Sequence, residues 1–437
     1  MTAHQDTIAA IATPAGSGGV GIVRISGPAA TTMATQISGL RTLKPRFAHH
    51  ATFSNAKGQV IDSGLLLFFQ GPASFTGEDV IELQGHGGQV VMNMLLQAVI
   101  QLGARLARPG EFSERAFLND KIDLVQAEAI ADVIASGSEQ AVLASQRSLQ
   151  GAFSRHIDEL LEKLIETRVW VESAIDFPEE EIDFLSDVGL QRQLAALNQM
   201  LLDTLRKTQT GVVLSQGISI AIIGRPNAGK SSLLNRLTEA DSAIISEVAG
   251  TTRDVVKEDV VIAGIPVRLI DTAGIHETDN PIEQQGIERA LLAKAQADVV
   301  LQVWDGSEYQ GQPLPVAANQ INIINKSDLV GELTVADALV VSAKHNTGID
   351  AIRQAIVDRV TAGDLNENSF TARQRHIEQL HTTQQHLAAA ERQLHDNQGE
   401  LSAEELRLGQ QALSEITGAF SSDDLLGEIF SRFCIGK

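Results

Sequence analysis

Residues 224–231 read Gly-Arg-Pro-Asn-Ala-Gly-Lys-Ser, a turn that fits the phosphate-cradling pattern G-x-x-x-x-G-K-[ST]. The apolar run before it, Ile218–Ile223, reads as a buried strand, and Ser232–Leu237 reads as the start of a helix. Glycines at such a junction let backbone N–H groups close around phosphate oxygens, and the helix N-terminus adds its positive end. Lys230 is placed to neutralise β/γ-phosphate charge and Ser231 to ligate Mg²⁺. An accidental glycine-rich turn is the alternative, and the strand and helix on either side argue against it.

Three further motifs follow in order. Asp271-Thr272-Ala273-Gly274 ends the apolar run Val267–Ile270, where an acid can hold Mg²⁺ through water and the glycine N–H can meet a γ-phosphate. Asn325-Lys326-Ser327-Asp328 ends Ile321–Ile324. A carboxylate there accepts from both guanine N1–H and the exocyclic amine, a donor pair that adenine lacks, and such a mismatch can discriminate by ~10⁴-fold. Ser342-Ala343-Lys344 ends Ala338–Val341 and matches a loop that closes over the base. Each motif alone is weak. Four in order, each at the carboxyl end of an apolar strand, specify a guanine-nucleotide module on an open α/β sheet. Between the first two, Gly250-Thr251-Thr252-Arg253-Asp254 offers Thr252 as a second Mg²⁺ hydroxyl, or merely a polar turn. Ile275 stands where many GTPases place a water-orienting glutamine. Isoleucine cannot bond water, so the chain is either a poor hydrolase or recruits another group. The Asn227 carbonyl could bind a monovalent cation near the phosphates; a plain turn residue is an equally good reading.

With 437 residues the chain has room for about two to three domains. Its 43% hydrophobic content excludes global disorder. No apolar run approaches the ~18 residues of a membrane span, and Met1–Asp6 lacks the character of a secretory signal. The single cysteine excludes an internal disulfide framework. A cytoplasmic location and no membrane partner are expected. Residues 1–120 are balanced in charge, so the net −21 falls on the remainder. That field repels nucleic acid unless a local basic patch or a second protein helps to hold it.

The pattern divides the chain. Residues 1–119 read as mixed α/β, with strands at Val20–Ile25, Leu65–Phe69 and Val80–Leu83 and a helix at Val90–Leu102. Helical periodicity fills 120–214: Phe153, Ile157, Leu160, Leu161, Leu164, Ile165 and Val169 share one face, as do Leu190, Leu194, Leu197, Leu201 and Leu205. Pro178 and the acidic run Glu179–Glu181 read as a solvated loop between them. The nucleotide module occupies 217–362, and helical pattern resumes over 363–437 with Ile377, Leu380, Leu387, Leu406, Leu413 and Ile416. The economical architecture is therefore multidomain α/β plus all-α, with the module inserted into one helical domain. Cys434 in the terminal Cys-Ile-Gly-Lys reads on its own as an ordinary surface thiol, and the final lysine excludes a prenylation box. His376, His381 and His386 recur every five residues, which spreads them around a helix, and no zinc site is expected.

Taken together these stretches resemble the bacterial tRNA-modification GTPases of the MnmE (TrmE) family, essentially end to end. The residues that carry the resemblance are Gly19–Gly27, Gly85–Gly88, Arg108–Lys121, Asp176–Pro178, Gly224–Ser231, Gly250–Asp254 and Cys434–Lys437. The resemblance implies a folate-binding, dimerising N-terminal domain, a helical domain and an inserted Ras-like GTPase domain. It implies a homodimer and a heterotetramer with the FAD-containing partner MnmG, FAD being on the partner only. The complex would place an aminomethyl-type group, commonly carboxymethylaminomethyl, on C5 of the tRNA wobble uridine, the one-carbon unit coming from 5-formyl- or methylene-tetrahydrofolate. GTP and GDP contacts would come from Asn227, Ala228, Gly229, Lys230, Ser231, Ser232, Ser246, Glu247, Val248, Ala249, Gly250, Thr251, Thr252, Asp271, Thr272, Ala273, Gly274, Asn325, Lys326, Asp328, Ser342, Ala343 and Lys344. Ser231 and Thr252 would bind Mg²⁺, and Asn227, Ser246, Val248 and Thr251 would bind K⁺, which drives G-domain pairing and hydrolysis in the family. Glu283 matches a glutamate that orients water. Arg24, Glu82, Lys121 and Lys437 match folate contacts, and Cys434 is the candidate functional thiol.

One departure stands out. Only Ser307–Ile324 separate Trp304-Asp305-Gly306 from Asn325, and they include Pro313 and Pro315, so the helix expected there is very short or absent. Two other readings compete: a regulatory or ribosome-assembly GTPase that binds a partner and modifies nothing, and a folate-dependent one-carbon transferase with an accessory switch. The long portion outside the nucleotide module favours the tRNA reading over the first.

Overall fold

The computed structural model describes residues 6–176, 188–238, 257–270, 295, 297–330, 333–361, 363, 365–419, 423–431, 433 and 436. The chain forms two compact units, 1–131 with 417–437, and 132–416.

The first unit is built on six strands among the described residues: β1 (Ile8–Ile11), β2 (Gly18–Ser26), β3 (His49–Ser54), β4 (Val60–Phe69), β5 (Val80–Gly87) and β6 (Arg105–Leu106), in the order β3-β4-β5-β2-β1-β6. Neighbours are antiparallel except β1 and β6. Helices α1 (Ala30–Ser38) and α2 (Gln89–Gln101) bury their apolar stripes against one face. Alternate strand residues Val23, Ile25, Leu66, Phe68, Ile81 and Leu83 meet Met33, Ile37, Met92, Leu95 and Val99 there. Helix α3 (Glu111–Leu118) brings Phe112 onto Ile8 and Ala10 of β1. Helix α4 (Leu124–Ala135) begins in this unit, and its Leu124 and Ala127 pack with Leu426, Ile429, Phe430 and Phe433 of the returning C-terminal segment.

The second unit joins long helices to a second sheet. Helices α5 (Glu139–Leu149), α6 (Ala152–Asp176) and α7 (Val188–Gln216) lead into β7 (Ile218–Gly224), α8 (Lys230–Thr238), β8 (Lys257–Ile262), β9 (Ile265–Ile270), β10 (Val299–Asp305), β11 (Gln320–Asn325), β12 (Ala338–Val340) and α9 (Ile349–Thr361). Helices α10 (Gln374–His395) and α11 (Gly399–Thr417) follow. The strand order is β12-β11-β10-β7-β9-β8, parallel throughout except for the β8–β9 hairpin. Ile220, Ile222, Leu301 and Ile323 pack with Leu233, Ile352 and Ile356 from α8 and α9. The Ser138 hydroxyl accepts from Ala141 N to cap α5 and donates to Gly264 O at 2.6 Å, which fastens the hairpin turn to the helices. Between β10 and β11, residues 307–319 contain no helix; Asn322 Nδ2 donates to Pro315 O and Arg359 to Ala318 O instead. Among the described residues no helix is long and apolar enough to cross a membrane.

One expectation needs correction. Leu190, Leu194, Leu197, Leu201 and Leu205 are all buried, but of the α6 residues expected on one face only Phe153, Ile157, Leu160 and Leu164 are. Leu161 and Ile165 are half-buried and Val169 is 51% exposed. Each step of four residues advances ~40° around a helix. The row Phe153, Ile157, Leu161, Ile165, Val169 therefore winds off the buried face, whereas Leu160 and Leu164 return to it.

A charge cluster with a buried centre fixes the first unit. Glu111 and Arg115 stand one helical turn apart on α3, and both side chains are buried. Arg115 donates to Asp6 at 2.8 Å, to Glu78 at 3.1 Å and to Glu111 at 3.3 Å. Glu111 also accepts from Arg105 at 2.6 Å and from Arg108 N at 2.7 Å. Burial alone would raise the Glu111 carboxyl, but these donors and the two guanidinium charges outweigh it and hold it down to about 2. A folded-state value below the unfolded one contributes stability that is fully present above the unfolded value and is lost as pH falls towards the folded one. Glu111→Gln should cost about 3 kcal/mol at neutral pH. Urea denaturation from about pH 6 down to about pH 2 checks this: the wild-type advantage should shrink steadily below about pH 5, and parallel curves would contradict the cluster's role.

Candidate guanine-nucleotide site

The site assembles where β7, β10, β11 and β12 end together at the carboxyl edge of the sheet. Gly224 closes β7 so near to β10 that a Cβ there would lie 2.3 Å from Val303 O. The loop then turns through Asn227 in the left-handed region (φ 63°) and Gly229 (φ 91°). The turn reading of Asn227 thus describes its backbone, and its side chain is exposed. Leu233 N donates to Gly229 O at 2.9 Å as α8 begins, so Ser231 and Ser232 sit in the first turn of that helix. Lys230 Nζ lies along the loop, donating to Gly224 O at 2.8 Å and Arg225 O at 3.0 Å.

Asn325 is the centre of the arrangement. It is 2% exposed. Its Nδ2 donates to Ala228 O at 3.0 Å and its Oδ1 accepts from Ala343 N at 3.0 Å. One amide thereby joins the phosphate loop, the strand end that carries it, and the loop Ser342–Lys344. Gly229 must lack a Cβ for this, because one would lie 2.2 Å from Asn325 Nδ2. Three residues on, Asp328 Oδ1 accepts from Ser342 Oγ at 2.5 Å, and Oδ2 lies 3.7 Å from His345 Nε2. The Ser342 hydrogen bond chiefly holds the Asp328 carboxyl below its ordinary value. The Ser342 loop is closed by paired backbone bonds to Thr347 at 3.0 Å and is tied to α8 by Arg236 Nε, which donates to Ala343 O at 3.0 Å. Lys344 is exposed on the loop.

In the first unit Arg24 Nε and Nη2 donate to Glu82 Oε1 at 3.1 and 2.9 Å, and Nη1 donates to Gly436 O at 3.2 Å. The guanidinium stands 5.9 Å from the Phe75 ring centroid and 5.7 Å from that of Phe112. Lys121 Nζ donates to Pro72 O at 2.9 Å, on the loop that also carries Phe75. Phe75, Arg236 and His345 carry no motif of their own, and Phe112, though it lies within Arg108–Lys121, was not singled out as a site residue. Ser246, Glu247, Val248, Ala249, Gly250, Thr251, Thr252, Asp271, Thr272, Ala273, Gly274, Ile275, Glu283, Cys434 and Lys437 lie outside the described residues.

The family profile described as "GTP-binding protein TrmE N-terminus" matches residues 7–121, and "MnmE helical domain" matches residues 124–434. A relative from Hydrogenovibrio crunogenus, a tRNA modification GTPase MnmE, is 51% identical over 447 residues, covering 99% of each chain. Another from Ectopseudomonas mendocina, of the same description, is 51% identical over 456 residues and covers 100% of each. The chain belongs to the tRNA modification GTPase MnmE family. It is a GTP hydrolase that acts in tRNA modification, on a scaffold of α/β and all-α domains. Among solved structures, the FeoB G-domain from Methanococcus jannaschii covers 33% of this chain at 24% identity with a TM-score of 0.25. Era from Aquifex aeolicus covers 39% at 24% identity with a TM-score of 0.26. Likeness at that level adds nothing to the family match.

Asp328→Asn replaces an acceptor pair by one acceptor and one donor. It should lower GDP affinity by ~10²-fold and favour xanthosine diphosphate, whose C2 carbonyl accepts from the new amide. Calorimetric titration with both nucleotides checks this; an unchanged preference for GDP would contradict the assignment.

Proposed function

We propose that this chain couples GTP hydrolysis to the addition of a carboxymethylaminomethyl or aminomethyl group at C5 of the tRNA wobble uridine. The observation that carries the nucleotide half is the Asn325 amide, which holds the phosphate loop and the base loop in one arrangement. In this reading, Asp328 accepts from the guanine edge, with Ser342 fixing its rotamer. Lys230, whose ammonium donates to main-chain carbonyls of the loop, swings to the β/γ-phosphates. Ser231 in the first turn of α8 and Thr252 hold Mg²⁺. Asn227, with backbone groups of Ser246, Val248 and Thr251, holds K⁺. The exposed Asn227 side chain at the loop's left-handed turn suits that role. Bound there, Mg²⁺ and K⁺ would supply positive charge against the negative charge that develops between the β- and γ-phosphates, where Ile275 supplies no polar group. Glu283 orients the water.

The module 217–362 acts as an insertion between helical segments 120–214 and 363–437. The Ser138–Gly264 bond gives its hairpin a mechanical tie to them. The first domain binds 5-formyl- or methylene-tetrahydrofolate. The Arg24–Glu82 pair offers donors and an acceptor beside the flat Phe75 ring, which suits a pterin edge, and Lys121 and Lys437 offer positive charge to an acidic tail. The chain works as a cytoplasmic homodimer with MnmG, which alone carries FAD and whose surface helps to hold tRNA against the acidic field. Cys434 is the candidate thiol of that complex.

In a strain lacking the gene, tRNA nucleosides should lack the C5 wobble substituent; the wild-type chain should restore it and Asn227→Ala should not. Hydrolysis by the purified protein should be ~10-fold or more faster in K⁺ than in Na⁺, a difference that Asn227→Ala removes. Unchanged nucleosides in the deletion strain would overturn the modification reading, and equal rates in both salts would overturn the cation role.

A further inference from the structure

The ammonium of Lys326 is held by an acid from the neighbouring strand. Asp305 ends β10 directly opposite Asn325 in the parallel register with β11. The next residue, Gly306, donates its N–H to Asn325 O at 2.8 Å, and a Cβ on it would lie 2.7 Å from that oxygen. The two strand ends are therefore pressed together. The Asp305 side chain is 10% exposed and accepts from Lys326 Nζ at 2.7 Å, from Ser307 N at 2.9 Å and from Ser307 Oγ at 2.6 Å. Burial would raise this carboxyl, but Lys326 and Ser307 outweigh it and keep it below the usual range.

Lys326 itself is in the left-handed region, with φ 63° and ψ 38°. A side chain other than glycine resists that conformation, so it persists only where its surroundings impose it. Ser327 N donates to Val341 O at 3.0 Å and Leu329 N to Lys326 O at 3.0 Å, which hold the backbone after the turn. The Asp305 ion pair holds the side chain of the turning residue. That turn lets the Asn325 amide point to Ala228 O while Asp328, three residues later, points to Ser342.

We propose that Asp305 is a positioning residue for base recognition: by clamping Lys326 it sets the turn that aims the Asp328 carboxylate at the guanine edge. The proposal rests on the reading of Asp328 as the base-recognising acid. Asp305 then touches no part of the nucleotide and acts through Lys326. Ser307 has a clear part: its two hydrogen bonds fix the Asp305 rotamer, so the clamp is set before any ligand arrives.

The test uses the full chain and stopped-flow release of a fluorescent GDP, with competition by GDP and by inosine diphosphate, which lacks the exocyclic amine. Wild type should prefer GDP strongly. Asp305→Asn keeps the shape and removes the charge; it should speed GDP release ~10-fold and bring the GDP-to-inosine preference towards unity. Asp305→Glu should recover part of both. Lys326→Met should cause a similar loss of preference and add little in the Asp305→Asn background, because both remove one interaction. If Asp305→Asn shifts only the melting temperature and leaves release and preference unchanged, the residue is a strand-end ion pair and the proposal is wrong. If wild type itself fails to prefer GDP over inosine diphosphate, the reading of Asp328 fails and the proposal falls with it.

Discussion

A single buried primary amide organises the nucleotide end of this molecule. Asn325 must donate to one loop and accept from another from the same planar group, and few side chains present both functions at one short end. Because the group is buried, either partner's loss would strand a polar atom away from water, which costs roughly 1–3 kcal/mol. The surrounding features follow from this demand. Gly229 lacks a side chain so that the amide can approach. The ends of β10 and β11 run in register so that Asn325 emerges beside the phosphate loop. Arg236 holds the far loop by its carbonyl while Asn325 holds it by its N–H at the same residue, Ala343.

The first unit solves a different problem with the same economy. Arg115 and Glu111 are buried charges, and removing either partner of such a pair is usually expensive. Here Asp6, Glu78 and Arg105 complete the set, so that a strand N-terminus, a loop and a helix are fixed to one another. The loop so fixed runs on to Phe75 and Pro72, where Arg24 and Lys121 meet it. Burial of ions therefore contributes placement of candidate ligand groups as well as stability.

Much of this was legible in the chain, for identifiable reasons. The phosphate loop, Asn325 and Asp328 could be read because phosphate and guanine impose fixed chemistry at strand ends. The strands Ile218–Ile223 and Ile321–Ile324 could be read because a sheet buried on both faces leaves continuous apolar runs. The absent helix before β11 followed from its length and prolines. Strands β1 and β6 escaped because four and two residues carry too little pattern. The exposed course of Val169 escaped because an i, i+4 row alone does not reveal its slow drift around the helix. Asp305, His345 and Arg236 escaped because their roles are made by contacts between separate strands, loops and helices, which no local spacing encodes.

Asn325 joins the loops into one binding surface before nucleotide arrives, and the site depends on that preorganisation. Its most direct test is the GDP dissociation constant of Asn325→Asp, which keeps the acceptor for Ala343 N but sets a carboxylate against Ala228 O. Affinity should weaken by ~10²-fold or more, with faster amide exchange at Gly229 and Ala343 in the nucleotide-free protein. Unchanged GDP affinity, with both amides still protected, would contradict it.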